Sequence, residues 1–274
     1  MVAFAGPQVS GAIRNQFNQV TNTVDSGTEG DNFMSAEEKA YREAMKTITA
    51  KEAKDWTLDE QKAAATDIAK NGTSSVVYAK AKAAMDAGTT WSVKLTNGKT
   101  MTYRIIGINH DDLADGSGKA GLTFWASSDE FRTQCSQLRI YSDWLKSNIR
   151  EQLNSGDKWN LLPDDIKDNI VPVAKRTCIG LNSFSPTIET EKVFLPSYIE
   201  VASNGSAKDK TLAEYPWLSN EGTYYEGAAS FINGRVLRTP VTKGWYKHVN
   251  SHGLFSQCGS STDSYEQIAP FFCF

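Results

Sequence analysis

The chain has no long apolar run: no stretch approaches the roughly 20 apolar residues that a transmembrane helix needs. Membrane insertion is therefore not expected. It also lacks any block of Lys or Arg. Its 29 basic residues are scattered among 32 acidic ones, for a net charge of −3 over 274 residues. Nucleic-acid binding by phosphate neutralisation has no electrostatic basis in such a pattern. Histidine is scarce, with three residues in all. The four cysteines, Cys135, Cys178, Cys258 and Cys273, show no CxxC spacing. They can be free thiols or make up to two bridges, and free thiols are favoured. The apolar start Met1-Val-Ala-Phe-Ala-Gly-Pro7 lacks the positive n-region of a secretory signal and is too short for an h-region. A soluble chain is expected. Action outside a cell would require lysis, a dedicated export machine or a virion.

What is present is enough for a real core. Apolar residues make up 40% of the chain, and its length suits one large or two modest domains. The first 90 residues are rich in Ala, Lys, Glu, Thr and Gln and poor in aromatics. Ser35-Ala-Glu-Glu38 and Thr57-Leu-Asp-Glu60 fit the capping box, in which a hydroxyl and a carboxylate satisfy orphan donors at a helix start. Helices are expected at about 36–53, 58–71 and 75–87, with Gly72 and Gly88 just past two helix ends. Val9, Ile13, Phe17, Val20 and Val24, spaced by three or four, predict a further amphipathic helix. A short helix this apolar on one face needs a partner. Residues 1–90 therefore read as a helical attachment or oligomerisation region, which allows homo-oligomers.

From Trp91 the period changes to two. Trp91, Val93 and Leu95 alternate with polar residues, as do Met101, Tyr103 and Ile105. Asn97-Gly98 between them predicts a hairpin with a type I′ turn. Gly121–Ala126 predicts the next strand, after a polar loop at 109–118. Ser142–Leu153 predicts a helix with Trp144, Leu145, Ile149 and Leu153 on one face. Leu162–Ile170 predicts a shorter one with Pro163 at its start. Val171–Cys178 reads as an edge strand because of Pro172, and Lys192–Val201 carries another. Further strands are expected near 235–238, 246–249 and 270–274. Residues 91–274 thus form an α+β domain whose sheet is made late in the chain.

Several groups invite chemistry. His248 and His252 are spaced by four, but the HExxH base position is occupied by Val249. The surrounding Asn, Ser and Gly argue against a helix there, and a zinc site with His110 as a third ligand is not favoured. Cys258 lies near both histidines without an identifiable orienting group. Asp111-Asp112, Asp164-Asp165 and Glu37-Glu38 are carboxylate pairs, the last two explained by helix starts. Gly116-Ser-Gly-Lys119 lacks phosphate-loop spacing and reads as a turn. No catalytic residue, metal or cofactor is expected. The alternative is a hydrolase or modifying enzyme using His248, His252 and Cys258, or a structural virion component.

The C-terminal 44 residues mix rigid aromatics with small polar residues, the composition of a binding surface. The ligand-binding candidates are Lys243, Trp245, Tyr246, His248, His252, Phe255, Gln257, Ser260, Ser261, Asp263 and Tyr265.

An ordered set of segments carries a resemblance. It comprises Tyr141-Ser-Asp-Trp-Leu145, Leu161-Leu-Pro163, Glu191-Lys-Val-Phe-Leu-Pro-Ser197, Glu221-Gly-Thr-Tyr-Tyr225, Val236-Leu-Arg-Thr-Pro240, Trp245-Tyr-Lys-His-Val-Asn250, Gly253 and Ala269-Pro-Phe271. Over about residues 92–274 this resembles the DUF6273-type domains of gut bacteria and their phages. It is also similar to the C-type-lectin-like variable proteins of diversity-generating retroelements, the phage tropism-determinant type. The doubled Trp before the family's "LRSP" is Arg235-Val236 here, and Gln267-Ile-Ala269 replaces its closing Gly-Val-Arg. The lectin calcium motifs are absent. The resemblance implies a C-type-lectin-like domain at 91–274 that displays a C-terminal, hypervariable surface. Arg238, Pro240, Val249, Gly253, Pro270 and Phe271 would be its scaffold. It implies a receptor-binding role on a phage tail or a bacterial or extracellular surface, with a protein or glycan ligand on a cell surface.

Overall fold

The computed structural model describes residues 35–134, 144–177, 187–201, 215–216, 235–242, 245–249, 255–259 and 265–274. The amphipathic helix expected within 1–30 lies outside them. The chain divides into two compact units, Met1–Ala44 and Met45–Phe274. Of the first, the described residues are the opening turns of helix α1 (Ala36–Ala50), where the Ser35 hydroxyl accepts the Glu38 N–H at 3.1 Å.

The second unit continues with α2 (Leu58–Asn71) and α3 (Tyr78–Asp86). The capping box at the start of α2 is complete. The Thr57 hydroxyl accepts the Glu60 N–H at 3.3 Å, and the Glu60 carboxylate accepts the Thr57 N–H at 2.8 Å. Gly72 and Gly88 take positive φ where these helices end. Helix α3 begins later than the expected 75 because a 3-10 turn at Gly72–Ser74 comes first and the buried Ser75 hydroxyl bonds Asp67.

A five-stranded antiparallel sheet has the order β1-β2-β3-β12-β7. Its strands are β1 (Thr90–Lys94), β2 (Thr100–Ile108), β3 (Leu122–Ser127), β7 (Val193–Phe194) and β12 (Phe271–Cys273). The predicted β1–β2 hairpin is present, but its turn is not type I′. Gly98 donates to Leu95 O at 2.9 Å and Leu95 to Lys99 O at 2.8 Å. Gly98 has φ 79°, whereas Asn97 is not among the positive-φ residues. This is a three-residue loop with glycine at the left-handed position. The sheet is also not made late in the chain: the early hairpin and the C-terminal strand build it together.

Around it lies an aromatic core of Trp91, Tyr103, Phe124, Phe272 and Phe274, with ring centroids 4.9 to 6.3 Å apart. Trp91, Trp125 and Trp144 are buried, as expected of core residues, and so is Trp56. Helix α2 buries Ala64, Ala65 and Ile68, and its Ala65 comes so close to Gly121 that no side chain fits there. Helix α3 contacts β2. Both helices therefore belong to the same compact unit as the sheets.

A second five-stranded sheet has the order β10-β9-β8-β11-β4. It comprises β4 (Arg132–Gln134), β8 (Arg235–Thr242), β9 (Trp245–Val249), β10 (Phe255–Gly259) and β11 (Tyr265–Gln267). A two-stranded ribbon pairs β5 (Val173–Thr177) with β6 (Thr187–Glu191). The class is α+β.

Two predicted elements are corrected. The helix expected over 142–153 is a 3-10 turn, Trp144–Lys146, followed by α4 (Asn148–Asn154). Ser147 divides them, because its hydroxyl accepts the Arg150 N–H at 3.2 Å and so caps α4. Helices α5 (Asp157–Leu161) and α6 (Asp164–Lys167) follow. The strand expected over 192–201 is confined to β7; helix α7 (Tyr198–Val201) follows. Ser197 and Glu200 form a capping box there: the Ser197 N–H donates to the Glu200 carboxylate at 2.7 Å and the Glu200 N–H to the Ser197 hydroxyl at 3.3 Å.

Lys62 on α2 is largely buried. Its ammonium donates to Asn169 O at 2.9 Å and has the Phe274 ring 5.9 Å away. Burial lowers its pKa to about 8. The folded state thus disfavours the charged form, so this group's cost is relieved as pH rises from about 8 to 10.5. Lys62→Met is expected to raise the denaturant midpoint at pH 7, with a smaller gain at pH 10.

Candidate functional site: an ionic anchor beneath the C-terminal strands

The loop expected at 109–118 is polar, but it enters the core. Asp111 is 4% exposed. It meets Lys175 from β5, Tyr215 and Thr123. The Lys175 ammonium donates to Asp111, to Glu200 Oε1 at 2.8 Å and to the Tyr215 hydroxyl at 2.8 Å. The Tyr215 hydroxyl donates to Asp111 at 3.0 Å and the Thr123 hydroxyl at 2.5 Å. Glu200 Oε2 accepts Arg238 Nη1 of β8 at 2.5 Å. The same Nη1 donates to Leu195 O at 2.7 Å, and the Arg238 N–H donates to Pro196 O at 2.9 Å. Asp111, Lys175, Glu200 and Arg238 thus form an alternating, charge-balanced chain, every member buried.

Strand alternation explains Lys175. Val173, Lys175 and Thr177 are the buried phase of β5, and Ala174 and Arg176 the half-exposed one. Gly107 allows the ring packing beside the chain, because a Cβ there would lie 3.1 Å from both His110 and Tyr215. His110 stacks on Tyr215 with centroids 4.3 Å apart. Cys273 is a free, buried thiol 3.4 Å from the Thr123 hydroxyl, and burial pushes its pKa well up.

Burial raises the pKa of Glu200, but the Arg238 and Lys175 charges outweigh it and hold the carboxyl at about 2. Burial likewise opposes ionisation of Asp111, and Lys175 more than compensates, holding it far below the ordinary carboxylate range. Both folded pKa values lie below the unfolded ones. Their stabilisation is therefore present above about pH 4.5 and is lost as pH falls towards 2 and below. The loss between pH 4.5 and 2 is expected to move little in 1 M salt, because buried pairs are poorly screened, whereas screening would move the loss from exposed ion pairs to higher pH. Circular dichroism across that range checks it.

Six of the eleven candidate ligand-binding residues fall on the sheet to which Arg238 of β8 belongs. Lys243, His252, Ser260, Ser261 and Asp263 lie outside the described residues. The others sit on β9, β10 and β11. In the regular β9–β10 pairing, Tyr246 is opposite Cys258, His248 opposite Ser256, Lys247 opposite Gln257 and Val249 opposite Phe255. Arg235 links Val249 to Gln267, and Gln267 pairs with Arg132. Opposed residues share a face and neighbours alternate. In this register Trp245, Lys247, Phe255, Gln257 and Tyr265 share one alternation phase with the exposed Arg132 and half-exposed Gln267, and Tyr246, His248 and Cys258 share the other with the buried Val236 and Thr133. His248 and Cys258 are diagonal rather than directly opposed, so their Cα atoms stand about 7–8 Å apart by strand geometry. Among the described residues, no group of His, Cys, Asp and Glu could hold a metal ion.

Lys175, Glu200 and Tyr215 are not among the sequence candidates, and Asp111 is named there only as half of the Asp111-Asp112 pair. Two signals pointed to them: a lysine in the buried phase of a strand, and the Ser197-x-x-Glu200 capping box. Compared with protein-family models, curated proteins and solved structures, the chain finds no match in any of the three.

Proposed function

We propose that the protein is a non-enzymatic receptor- or ligand-binding protein with a C-type-lectin-like domain. It carries a C-terminal contact surface of the kind seen in phage tail and retroelement-diversified variable proteins, and works on a virion or a bacterial or extracellular surface. Its partner is a protein or glycan on a cell surface, and the N-terminal helices attach or oligomerise it.

One observation carries the reading. The segment from 239 to 267 is held at both ends by buried residues, Val236–Arg238 before it and Ile268–Phe274 after it. Such a segment can change its residues while its ends stay in place. The contact residues of this reading are Trp245, Lys247, Phe255, Gln257 and Tyr265, which share their register phase with the exposed Arg132. Trp and Tyr there supply anchors, with polar neighbours between them.

The test is binding of the fluorescently labelled chain to a panel of intact gut-bacterial cells. Trp245→Ala with Tyr265→Ala is expected to lower binding at least tenfold, or about 1.4 kcal/mol. Unchanged binding on a cell type that the wild type recognises would sink the assignment of this face. A nearby reverse transcriptase gene and an adenine-rich near-copy of the DNA encoding 238–274 would establish diversification. A single hyper-reactive Cys258, or zinc bound at unit stoichiometry, would instead favour an enzyme using His248, His252 and Cys258.

A further inference from the structure

An open groove of about 480 Å³ lies between the Trp144–Lys146 turn, α4 and the β6–β7 junction. Its lining includes Lys146, Arg150, Glu151, Ser155, Thr190 and Lys192. Arg150, whose guanidinium is paired with the buried Glu191 behind it, and Lys192 stand in this lining beside the carboxylate of Glu151.

The cationic wall is built in advance. Glu191, fully buried, accepts Trp144 Nε1 at 2.9 Å, Arg150 Nε at 2.6 Å and Asn154 Nδ2 at 3.2 Å. Arg150 Nη2 also donates to Thr190 O at 3.3 Å. These bonds fix one edge of the guanidinium, while the side chain stays 27% exposed towards the groove. Asn154 holds the other wall, its Oδ1 accepting the Lys192 N–H at 3.0 Å and its Nδ2 donating to Val193 O at 2.9 Å. The Lys192 ammonium lies 5.1 Å from the Trp159 ring centroid and has no carboxylate within ion-pair distance among the described residues.

We propose that this groove is a second ligand site, which takes an acidic monosaccharide or disaccharide through its carboxylate. The oxyanion pairs with Arg150 and Lys192, the bidentate and point-charge modes of carboxylate recognition. The volume exceeds what a bare ion fills and lies in the range of small-molecule sites, about 300–1,000 Å³. The rest of the lining mixes the Leu145 side chain with the Ser155 hydroxyl and the Glu151 carboxylate, which suits a ligand that carries both C–H faces and hydroxyls.

Isothermal titration of the full chain with D-glucuronate, D-glucose and inorganic phosphate tests this. Glucuronate is expected to bind, more weakly as salt rises, and glucose not to. Lys192→Glu, at an exposed position, should weaken glucuronate at least tenfold while the melting temperature holds. Lys192→Gln should give an intermediate loss. Glucuronate heat that is absent, or equal in wild type and Lys192→Glu, overturns the site. Phosphate bound as tightly as glucuronate overturns the sugar assignment. Because Trp245 and Tyr265 lie elsewhere, Trp245→Ala with Tyr265→Ala should leave glucuronate binding unchanged, which separates this site from the proposed contact face.

Discussion

Lys175→Met is expected to destabilise the fold by about 3–5 kcal/mol, the cost of leaving a buried charge without its partner. The substitution preserves much of the aliphatic stem, which runs 4.2 Å from the Phe194 ring centroid at its ammonium end. Among the described residues, what it removes is the one lysine or arginine bonded to Asp111. Glu200 keeps Arg238, while Asp111 keeps the Thr123 and Tyr215 hydroxyls and the Cys273 thiol. Adding Asp111→Asn to Lys175→Met should therefore recover a large part of the loss, and urea unfolding of the two single variants and the double variant measures that coupling. Additive losses would mean that the two groups do not act as a pair. The chain of charges also ties four distant segments together: the loop at Asp111, β5, α7 and β8. Its value lies less in net stability, since buried ion pairs can be replaced by apolar residues with little cost, than in fixing where β8 leaves the core.

Gly121→Ala is expected to be comparably damaging, although it adds a single methyl group. The new Cβ would lie 2.7 Å from Ala65 Cα and closer still to its carbonyl. The obstacle is helix backbone, so no rotamer change relieves it, and α2 must move off β3. A loss of about 3 kcal/mol or more is expected, at the upper end of overpacking effects. The C-terminus shares the damage, because the Gly121 N–H donates to Phe274 O at 3.1 Å. Hydrogen exchange should show β12 losing protection along with α2. A thermal midpoint within about 1 °C of wild type would show that the helix can shift without cost.

Local signals made much of this fold legible. Thr57-x-x-Glu60 marked the start of α2 because a capping box is a local exchange of hydrogen bonds. The β1–β2 hairpin was readable from period two around Asn97-Gly98, but the turn type depended on which pair closed the loop, here Leu95 with Lys99. The region at 192–201 misled because Val193 and Leu195 alternate as in a strand. The competing Ser197-x-x-Glu200 box, just after Pro196, won. The anchor was the least legible part. Asp111 and Lys175 lie 64 residues apart, and Glu200 and Arg238 lie 38 apart. Each alone resembles a surface charge, and only the tertiary fold supplies the partner that makes burial tolerable. Arg238 was expected as scaffold, and it is buried as such. The candidate binding set rests on composition alone, and its division into two register phases needed the pairing of β9 with β10.

The most direct test of the account is the thermal unfolding of one variant, Trp245→Ala, Phe255→Ala, Gln257→Ala and Tyr265→Ala combined, set beside Tyr246→Ala alone. If the first four residues form a contact face carried by an anchored frame, each should cost within about 0.5 kcal/mol, as surface changes do. The combined variant should then melt within a few degrees of wild type, while Tyr246→Ala, on the face shared with Val236 and Thr133, should lose about 3 kcal/mol. A combined variant that fails to fold, beside a Tyr246→Ala protein that melts like wild type, would contradict the account.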